Sequence, residues 1–305
     1  MSAYTALSDP LAWSALALLA AAATIHAVAS TGRHRQVARA VVAVGWVAFA
    51  ATWGVLVPHY ALVQHSLIEA AGAALAVPAG LYAAREQHRG RDEAFAVARA
   101  IAIAGVLYLP FVAVPAAREA LVEAVVAGTE SLLAVAGYTA PETFRLVSGA
   151  ETGASYPFRN SFVFTVDGGH PVVYYVELAC TGIKSMATFV GVVFAVEASN
   201  ARRLWTLGIV LPVIYLLNLL RNAFIALAFG QQRLHVAPEV VLAAFGVEDP
   251  YLVSYLVADR IVAQGLSLVA LAALAWVAIH AVPAVLDLVD ETVRLVTFDR
   301  ASLRG

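Results

Sequence analysis

Seven apolar runs, each close to the length that crosses a lipid bilayer, constrain this chain more than any other feature. They cover residues 11–29, 38–57, 61–83, 95–115, 181–198, 204–229 and 260–282, and a transmembrane helix needs about 20 predominantly apolar residues. Charged residues make up only 13% of the chain, about half the share in a soluble domain. We therefore predict an all-α polytopic membrane protein with seven to eight transmembrane helices, forming a single membrane domain over residues 1–305.

Clusters of arginine indicate which helix ends face the cytoplasm. They follow the first, third and fifth runs and recur near the C-terminus, at residues 33–39, 85–99, 202–203 and 294–304. Cytoplasmic loops are enriched in Lys and Arg. We expect all of these clusters to lie inside, with residues 284–305 as a cytoplasmic tail. The N-terminus and residue 180 would then lie on the outer side of the cell membrane.

The segment 117–137 is apolar enough to span the membrane but carries charges. Glu119, Glu123 and Glu130 are spaced by four and seven residues, so in a helix they share one face. If this segment crossed the membrane, residue 180 and the arginines at 202–203 would need incompatible sides. We interpret it as an amphipathic helix at the outer interface or a re-entrant element. An eight-span arrangement is the alternative.

Two other segments are predicted to form a small extracytoplasmic cap. Within 138–179, the runs 161–167 and 171–177 are rich in β-branched and aromatic residues and flank Gly168 and Gly169. This pattern is typical of a β-hairpin, and its second strand would lead directly to residue 180. The segment 230–258 contains Pro238 and Pro250 and is predicted to be the second outer loop.

Cys180 is the only cysteine, and it stands at the start of an apolar run. A single cysteine excludes an internal disulfide and a multi-cysteine metal site, and buried cysteines are commonly inert. If Cys180 begins a helix, however, unpaired peptide N–H groups and the helix dipole would stabilise its thiolate. Lys184, one turn further on, could add positive potential.

Arg221 and Arg260 place two cations in apolar runs, where charge is costly and usually functional. Arg221 lies 17 residues beyond Leu204, which in a helix is roughly 25 Å, close to the outer boundary of the bilayer. Arg260 opens the last run from the outside, as Cys180 opens its own. We predict that all three residues meet in one layer, where a guanidinium can stabilise first a thiolate and then an oxyanion.

Structural roles for these residues stay open on the sequence alone. Arg260 can act as an interfacial anchor, and Asn218 and Asn222 can join helices through hydrogen bonds. For Arg221, the candidate acidic partners are Glu177, Asp259 and Glu248. The candidate proton carriers are His170, His235, His59 and Tyr255, none with a supporting spacing. The histidines have no metal-binding spacing, so we expect no metal, no cofactor and no nucleic-acid partner.

Three segments resemble the signatures of the exosortase/archaeosortase family. They are Glu-Leu-Ala-Cys-Thr-Gly-Ile at 177–183, Leu-Leu-Arg-Asn-Ala-Phe-Ile at 219–225, and Asp259-Arg260. The resemblance is closest to the archaeosortase branch, because bacterial exosortases carry a histidine at the position of Arg260. It implies a membrane cysteine peptidase or transpeptidase with about eight spans.

The resemblance also implies substrates and residue roles. The substrates would be secreted surface proteins, such as S-layer glycoproteins, with a C-terminal Pro-Gly-Phe motif, a hydrophobic helix and a basic tail. Cleavage would leave a thioester on Cys180, and transfer to a membrane phospholipid would anchor the protein. Arg221 would be a proton donor or electrostatic partner, and Arg260 a transition-state stabiliser. A membrane cysteine protease without lipid transfer and a non-enzymatic anion transporter using both arginines are the alternatives.

Overall fold

The computed structural model describes residues 3–28, 31–64, 66–89, 94–154 and 156–297. Its helices in chain order are α1 (Ala3–Ala27), α2 (Gly32–Pro58), α3 (Leu67–His88), α4 (Phe95–Ala113), α5 (Pro115–Val135), α6 (Gly149–Thr152), α7 (Ile183–Ala195), α8 (Asn200–Gly230), α9 (Pro238–Phe245), α10 (Leu252–Leu256), α11 (Gln264–Ala281) and α12 (Ala284–Thr297). The strands are β1 (Arg145–Ser148), β2 (Arg159–Val166) and β3 (His170–Tyr175). The predicted all-α polytopic membrane class with a small β-element is confirmed.

The chain divides into two compact units. The first comprises residues 1–107, 187–207 and 277–305, and the second comprises residues 108–186 and 208–276. The core of the first unit is built by helices packed around buried apolar side chains, among them Leu19, Val42 and Trp46. Part of the predicted tail 284–305 forms α12, whereas residues 298–305 lie outside the described residues, as do residues 90–93 of the second arginine cluster.

The second unit is organised around a three-stranded antiparallel sheet with the order β1-β2-β3. In the hairpin, Val163 pairs with Val173 and Ser161 with Tyr175. The turn uses Gly168 and Gly169 at φ of +77° and +82°, a backbone region that glycine adopts without steric cost. The β-hairpin predicted within 138–179 is therefore confirmed, and its location outside the membrane stays a prediction. The predicted loop 230–258 contains the short helices α9 and α10.

Helix α5 supports this sheet through the acidic face that the sequence pattern indicated. Glu130 forms an ion pair with Arg159 of β2 at 3.5 Å, and Glu123 accepts a hydrogen bond from the Arg159 backbone N–H at 3.4 Å. On its apolar side, Val122 and Val125 are fully buried in the core of the unit. The predicted amphipathic segment 117–137 is thus helical as far as Val135, and the polar face of this helix binds a strand.

Five helical segments of the described residues are long and apolar enough to cross a membrane: Leu7–Ala27, Gly32–Val63, Phe95–Ala113, Asn200–Gly230 and Leu252–Ala281. This number is lower than the predicted seven to eight, although each of the seven predicted runs contains helical residues. Helix α7 has 13 residues, about 20 Å, against a hydrocarbon core of about 30 Å. In α3, only 15 uncharged residues separate Glu69 from Arg85. Helix α5 is not among the five.

A glycine at the end of α8 allows the sheet to approach this helix. A Cβ atom at Gly230 would lie 2.3 Å from the ring of Phe164, whereas a Cβ at Gly208 of the same helix would have no atom within 4 Å. Since Phe164 is buried in the core, its ring has no free space into which to move. The contact therefore depends on the absence of a side chain at residue 230.

We expect Gly230→Ala to lower the free energy of unfolding by about 1–3 kcal/mol, the usual cost of overpacking. Gly208→Ala is the matched control and should leave stability equal or up to about 1 kcal/mol higher, because alanine favours the helix. Thermal unfolding of both variants in detergent micelles measures the difference. Equal Tm values for the two variants would contradict the packing described here.

Candidate active site

Cys180 lies in a tight turn between the sheet and α7. The turn Leu178–Thr181 is a 3₁₀-helix, in which the Cys180 N–H donates to the Glu177 carbonyl at 2.8 Å. Helix α7 begins only at Ile183. The prediction that Cys180 opens an α-helix is therefore wrong, because its N–H is already bonded and a separate turn precedes the helix. The backbone N–H of Cys180 is therefore not one of the free N–H groups at the start of α7.

Gly182 ends this turn and brings it against α8. Its φ is +76°, and a Cβ atom there would lie 3.2 Å from the side chain of Asn218. A side chain at this position would be strained by the backbone conformation and crowded by the neighbour. Glycine is thus required for the close approach of the Cys180 turn to α8.

Two amides of α8 hold the backbone carbonyl of Cys180. The side-chain amides of Asn218 and Asn222 each donate to this oxygen at 2.8 Å. They are four residues apart and so lie on one face of the helix. Tyr174 of β3 donates its hydroxyl hydrogen bond to the Asn222 side-chain oxygen at 2.7 Å. The asparagines therefore join α8 to the cysteine turn and the sheet, rather than joining two transmembrane helices.

Arg221 and Arg260 share one carboxylate. Arg221 donates a hydrogen bond to Oδ1 of Asp259, and Nε of Arg260 lies 3.6 Å from Oδ2 of the same residue. Of the three acidic partners considered for Arg221, the structure selects Asp259. The Asp259 side chain is 11% exposed and the arginine side chains are 27% and 23% exposed, so the charges are largely removed from solvent. A paired carboxylate lowers the cost of keeping these cations in an apolar helix.

The segment that carries Asp259 and Arg260 is a π-helix, Val257–Ala263, between α10 and α11. A π-helix closes its hydrogen bonds from residue i to i+5 and often occurs at functional sites. It widens the helix at the point from which Asp259 reaches Arg221 of α8. Nothing in the hydropathy pattern of the last apolar run indicates this insertion.

The Cys180 thiol belongs to the same electrostatic cluster. Burial has the largest influence and raises the pKa of the Cys180 thiol above its ordinary value. A hydrogen bond with the backbone of Glu177 and the positive charge of Arg221 lower this pKa. The negative charges of Asp259 and Glu177 raise it. The expected lowering of the thiol pKa is therefore not found, because the loss of water outweighs the nearby cation. Arg221 acts on the sulfur directly, whereas Arg260 is joined to the cluster through Asp259.

Two tyrosines complete the surroundings of the thiol. Burial raises the pKa of Tyr174 well above the ordinary value, so its phenol stays protonated and serves as a donor. Tyr255, one of the candidate proton carriers, lies close enough to Asp259 to interact with its carboxylate. Among the other candidates, His170 stacks on Tyr251 with ring centroids 4.1 Å apart, His235 is exposed, and His59 belongs to the first unit.

Several neighbours of the thiol were not predicted as site residues. Tyr156 interacts electrostatically with Cys180, and the guanidinium of Arg118 lies 5.6 Å above its ring. An adjacent Asp and Arg in an apolar run are a signal from which the bridging position of Asp259 could have been predicted. The spacing of Asn218 and Asn222 on either side of Arg221 is a similar signal for the paired amides. Lys184 was expected to add potential at the thiol, and its ammonium lies 6.0 Å from the ring centroid of Tyr108.

Known proteins match this chain over most of its length. The family model described as transmembrane exosortase covers residues 7–252. Archaeosortase A of Haloferax volcanii is 39% identical over 98% of this chain and 97% of the relative, and archaeosortase A of Natronomonas pharaonis is 35% identical over 96% and 90%. No solved structure is significantly similar. Both the family model and the two relatives extend across the cysteine turn and α8, and the chain belongs to the transmembrane exosortase family.

Proposed function

We propose that this chain is an archaeosortase-type cysteine transpeptidase of the cell membrane. It removes a C-terminal sorting signal of the Pro-Gly-Phe type from secreted surface proteins and transfers them to a membrane phospholipid. The observation that carries the proposal is the cluster of a thiol, a guanidinium and a bridging carboxylate at Cys180, Arg221 and Asp259. The two archaeosortase A relatives, which align over nearly their whole length, support the same reaction class.

The first step forms a thioester on Cys180. The sulfur attacks the carbonyl carbon of the scissile peptide bond, and the C–N bond breaks when the tetrahedral intermediate collapses. The thiol proton leaves with the amine of the released C-terminal segment. Arg221 stabilises the thiolate as it forms and then the oxyanion, because a guanidinium keeps its charge at every physiological pH. This makes an electrostatic role for Arg221 more suitable than proton donation.

The second step transfers the acyl group to a lipid. A nucleophilic group of the lipid headgroup attacks the thioester carbon, the C–S bond breaks, and the proton of the nucleophile returns to the sulfur. Arg260 assists by holding Asp259, and through it Arg221, in position, and by stabilising the charge of the transition state. If water attacks instead, the same intermediate gives hydrolysis, which is the reaction of a simple protease.

The reaction is proposed for the extracytoplasmic side. The arginine clusters that flank the apolar runs predict that Cys180 faces outward. A substrate whose tail is itself a membrane helix presents its scissile bond in that layer. Secreted proteins such as S-layer glycoproteins, which cross the membrane before processing, fit this geometry.

We expect Cys180→Ala and Cys180→Ser to reduce processing of a co-expressed substrate with a C-terminal Pro-Gly-Phe signal by roughly a thousandfold or more. The alanine has no nucleophile, and the serine hydroxyl is a much weaker one than a thiolate. In the wild type, intact-mass measurement should find a substrate fragment on Cys180. The mass of the new substrate C-terminus separates a lipid adduct from a free carboxylate. Normal processing by Cys180→Ala would end the assignment of this residue as the nucleophile.

The guanidinium of Arg221 should not be replaceable by an ammonium. Arg221→Lys is expected to lower the processing rate by about a hundredfold, because a lysine lacks the fork of donors needed to hold Asp259 and an oxyanion together. Asp259→Asn should also slow processing, since it releases both arginines from one position. Arg233→Lys, which alters a cation that binds the Tyr138 hydroxyl, is the control and should process normally. Equal rates for Arg221→Lys and Arg233→Lys would contradict the role given to Arg221.

The reactivity of the thiol should depend on pH in a defined direction. Because burial raises the Cys180 pKa, alkylation by iodoacetamide should continue to accelerate at alkaline pH values where a free cysteine peptide has levelled off. Arg221→Gln removes a stabilising charge and should move the profile to higher pH, and Asp259→Asn should move it to lower pH. Mass spectrometry of the alkylated protein measures each rate. Coincident profiles for the two variants would show that the thiol does not feel this ion pair.

A further inference from the structure

An apolar cleft in the second unit contains Arg221 as its charged member. One wall is the stripe of α8 from Leu217 to Phe224, and the other runs from Ala263 to Ala270, mostly on α11. On both walls the lining positions recur at spacings of three, four and seven residues, so each wall is one face of a helix. The cleft has a volume of 240 Å³, and its mouth is open, since Leu266 is 63% and Leu220 is 47% exposed.

The shape of the cleft suits a hydrocarbon chain. Its lining positions follow α8 and α11 over about two helical turns, roughly 10 Å, a length along which an extended chain can lie. Apart from Arg221 and Ser267, the lining side chains are hydrocarbon, and the Ser267 hydroxyl is bonded to the Ala263 carbonyl at 2.7 Å. The cleft therefore suits a narrow apolar group.

The charge of the cleft favours an anionic headgroup. Arg221 donates to Asp259 through Nη2, and a guanidinium has five N–H donors. The side chain also keeps 27% of its surface exposed. Guanidinium groups bind phosphate through pairs of parallel hydrogen bonds. A ligand with a phosphate at one end and a hydrocarbon chain at the other matches Arg221 and the apolar walls together.

We propose that this cleft binds one chain of a membrane phospholipid, with the headgroup phosphate on Arg221, and that this bound lipid is the acceptor of the transfer step. The second part rests on the proposed function, whereas the lipid site itself does not. Arg221 is followed in α8 by Asn222, whose amide binds the Cys180 carbonyl at 2.8 Å, so a headgroup held by Arg221 is close to the thioester. Its nucleophile forms the new bond to the acyl carbon, the C–S bond breaks, and the proton of the nucleophile passes to the sulfur.

Lipid retention tests the site without requiring catalysis. Full-length protein is reconstituted in phosphatidylcholine vesicles containing either phosphatidylglycerol or diacylglycerol, extracted into detergent, and examined by native mass spectrometry. The wild type should retain phosphatidylglycerol in preference to diacylglycerol, which lacks the phosphate. Ala270→Phe fills the cleft and should reduce retention of phosphatidylglycerol by about tenfold. Arg221→Gln should abolish the preference between the two lipids.

A matched variant controls for general effects on the helix surface. Ala272→Phe adds the same ring to an exposed position of α11 that does not line the cleft, and it should retain lipid like the wild type. Ser267→Leu is a smaller filling substitution and keeps the test valid if Ala270→Phe unfolds. Retention by both filling variants at the wild-type level, or equal loss with Ala272→Phe, would overturn the lipid site.

The transfer reaction separates this inference from the proposed function. With a substrate added, the filling variants should still form the Cys180 adduct but should yield less lipid-linked product, about tenfold less than Ala272→Phe. Undiminished lipid transfer in these variants overturns the acceptor site and leaves the transpeptidase proposal intact. Absence of any Cys180 adduct in the wild type, combined with selective phosphatidylglycerol retention, overturns the proposed function and leaves the lipid site intact.

Discussion

The Asp259 carboxylate, shared by Arg221 and Arg260, is the interaction on which the rest of the site depends. Moving a single guanidinium into an apolar helix is costly, and a bridging carboxylate offsets that cost for both arginines. The bridge also joins α8 to the π-helical segment Val257–Ala263. Without this acid, Arg221 would lose the carboxylate that holds it, and the electrostatic field at the Cys180 sulfur would change with the rotation of its side chain.

A different set of contacts positions Cys180. The amides of Asn218 and Asn222 donate hydrogen bonds to its backbone carbonyl, and the Tyr174 hydroxyl donates to Asn222. Electrostatic and positional functions are thus separated on α8, with the charge at Arg221 and the amides on the neighbouring face. Cys180 is partly buried, and the loss of water raises the pKa of its thiol, so the thiol stays protonated at neutral pH.

Part of this arrangement was accessible from the amino-acid sequence. The apolar runs, the Gly168-Gly169 hairpin and the grouping of Cys180 with Arg221 follow from length, turn chemistry and the cost of intramembrane charge. The pKa of the thiol did not follow, because it depends on burial that no local pattern records. Nor did the helix boundaries: the run 61–83 is split between the turn that ends α2 and the start of α3, since a π-helical turn at His59–Val63 absorbs its first residues.

The π-helical segment Val257–Ala263 changes the direction in which every later side chain of the helix points. One additional residue in a helix rotates all later side chains by about 100° relative to an uninterrupted α-helix. The same local widening therefore sets both the direction of the Asp259 side chain and the direction that the cleft wall Ala263–Ala270 faces. Deleting Val262 would turn that wall away from α8, even though Asp259, Arg260 and every residue that lines the wall would still be present in the chain.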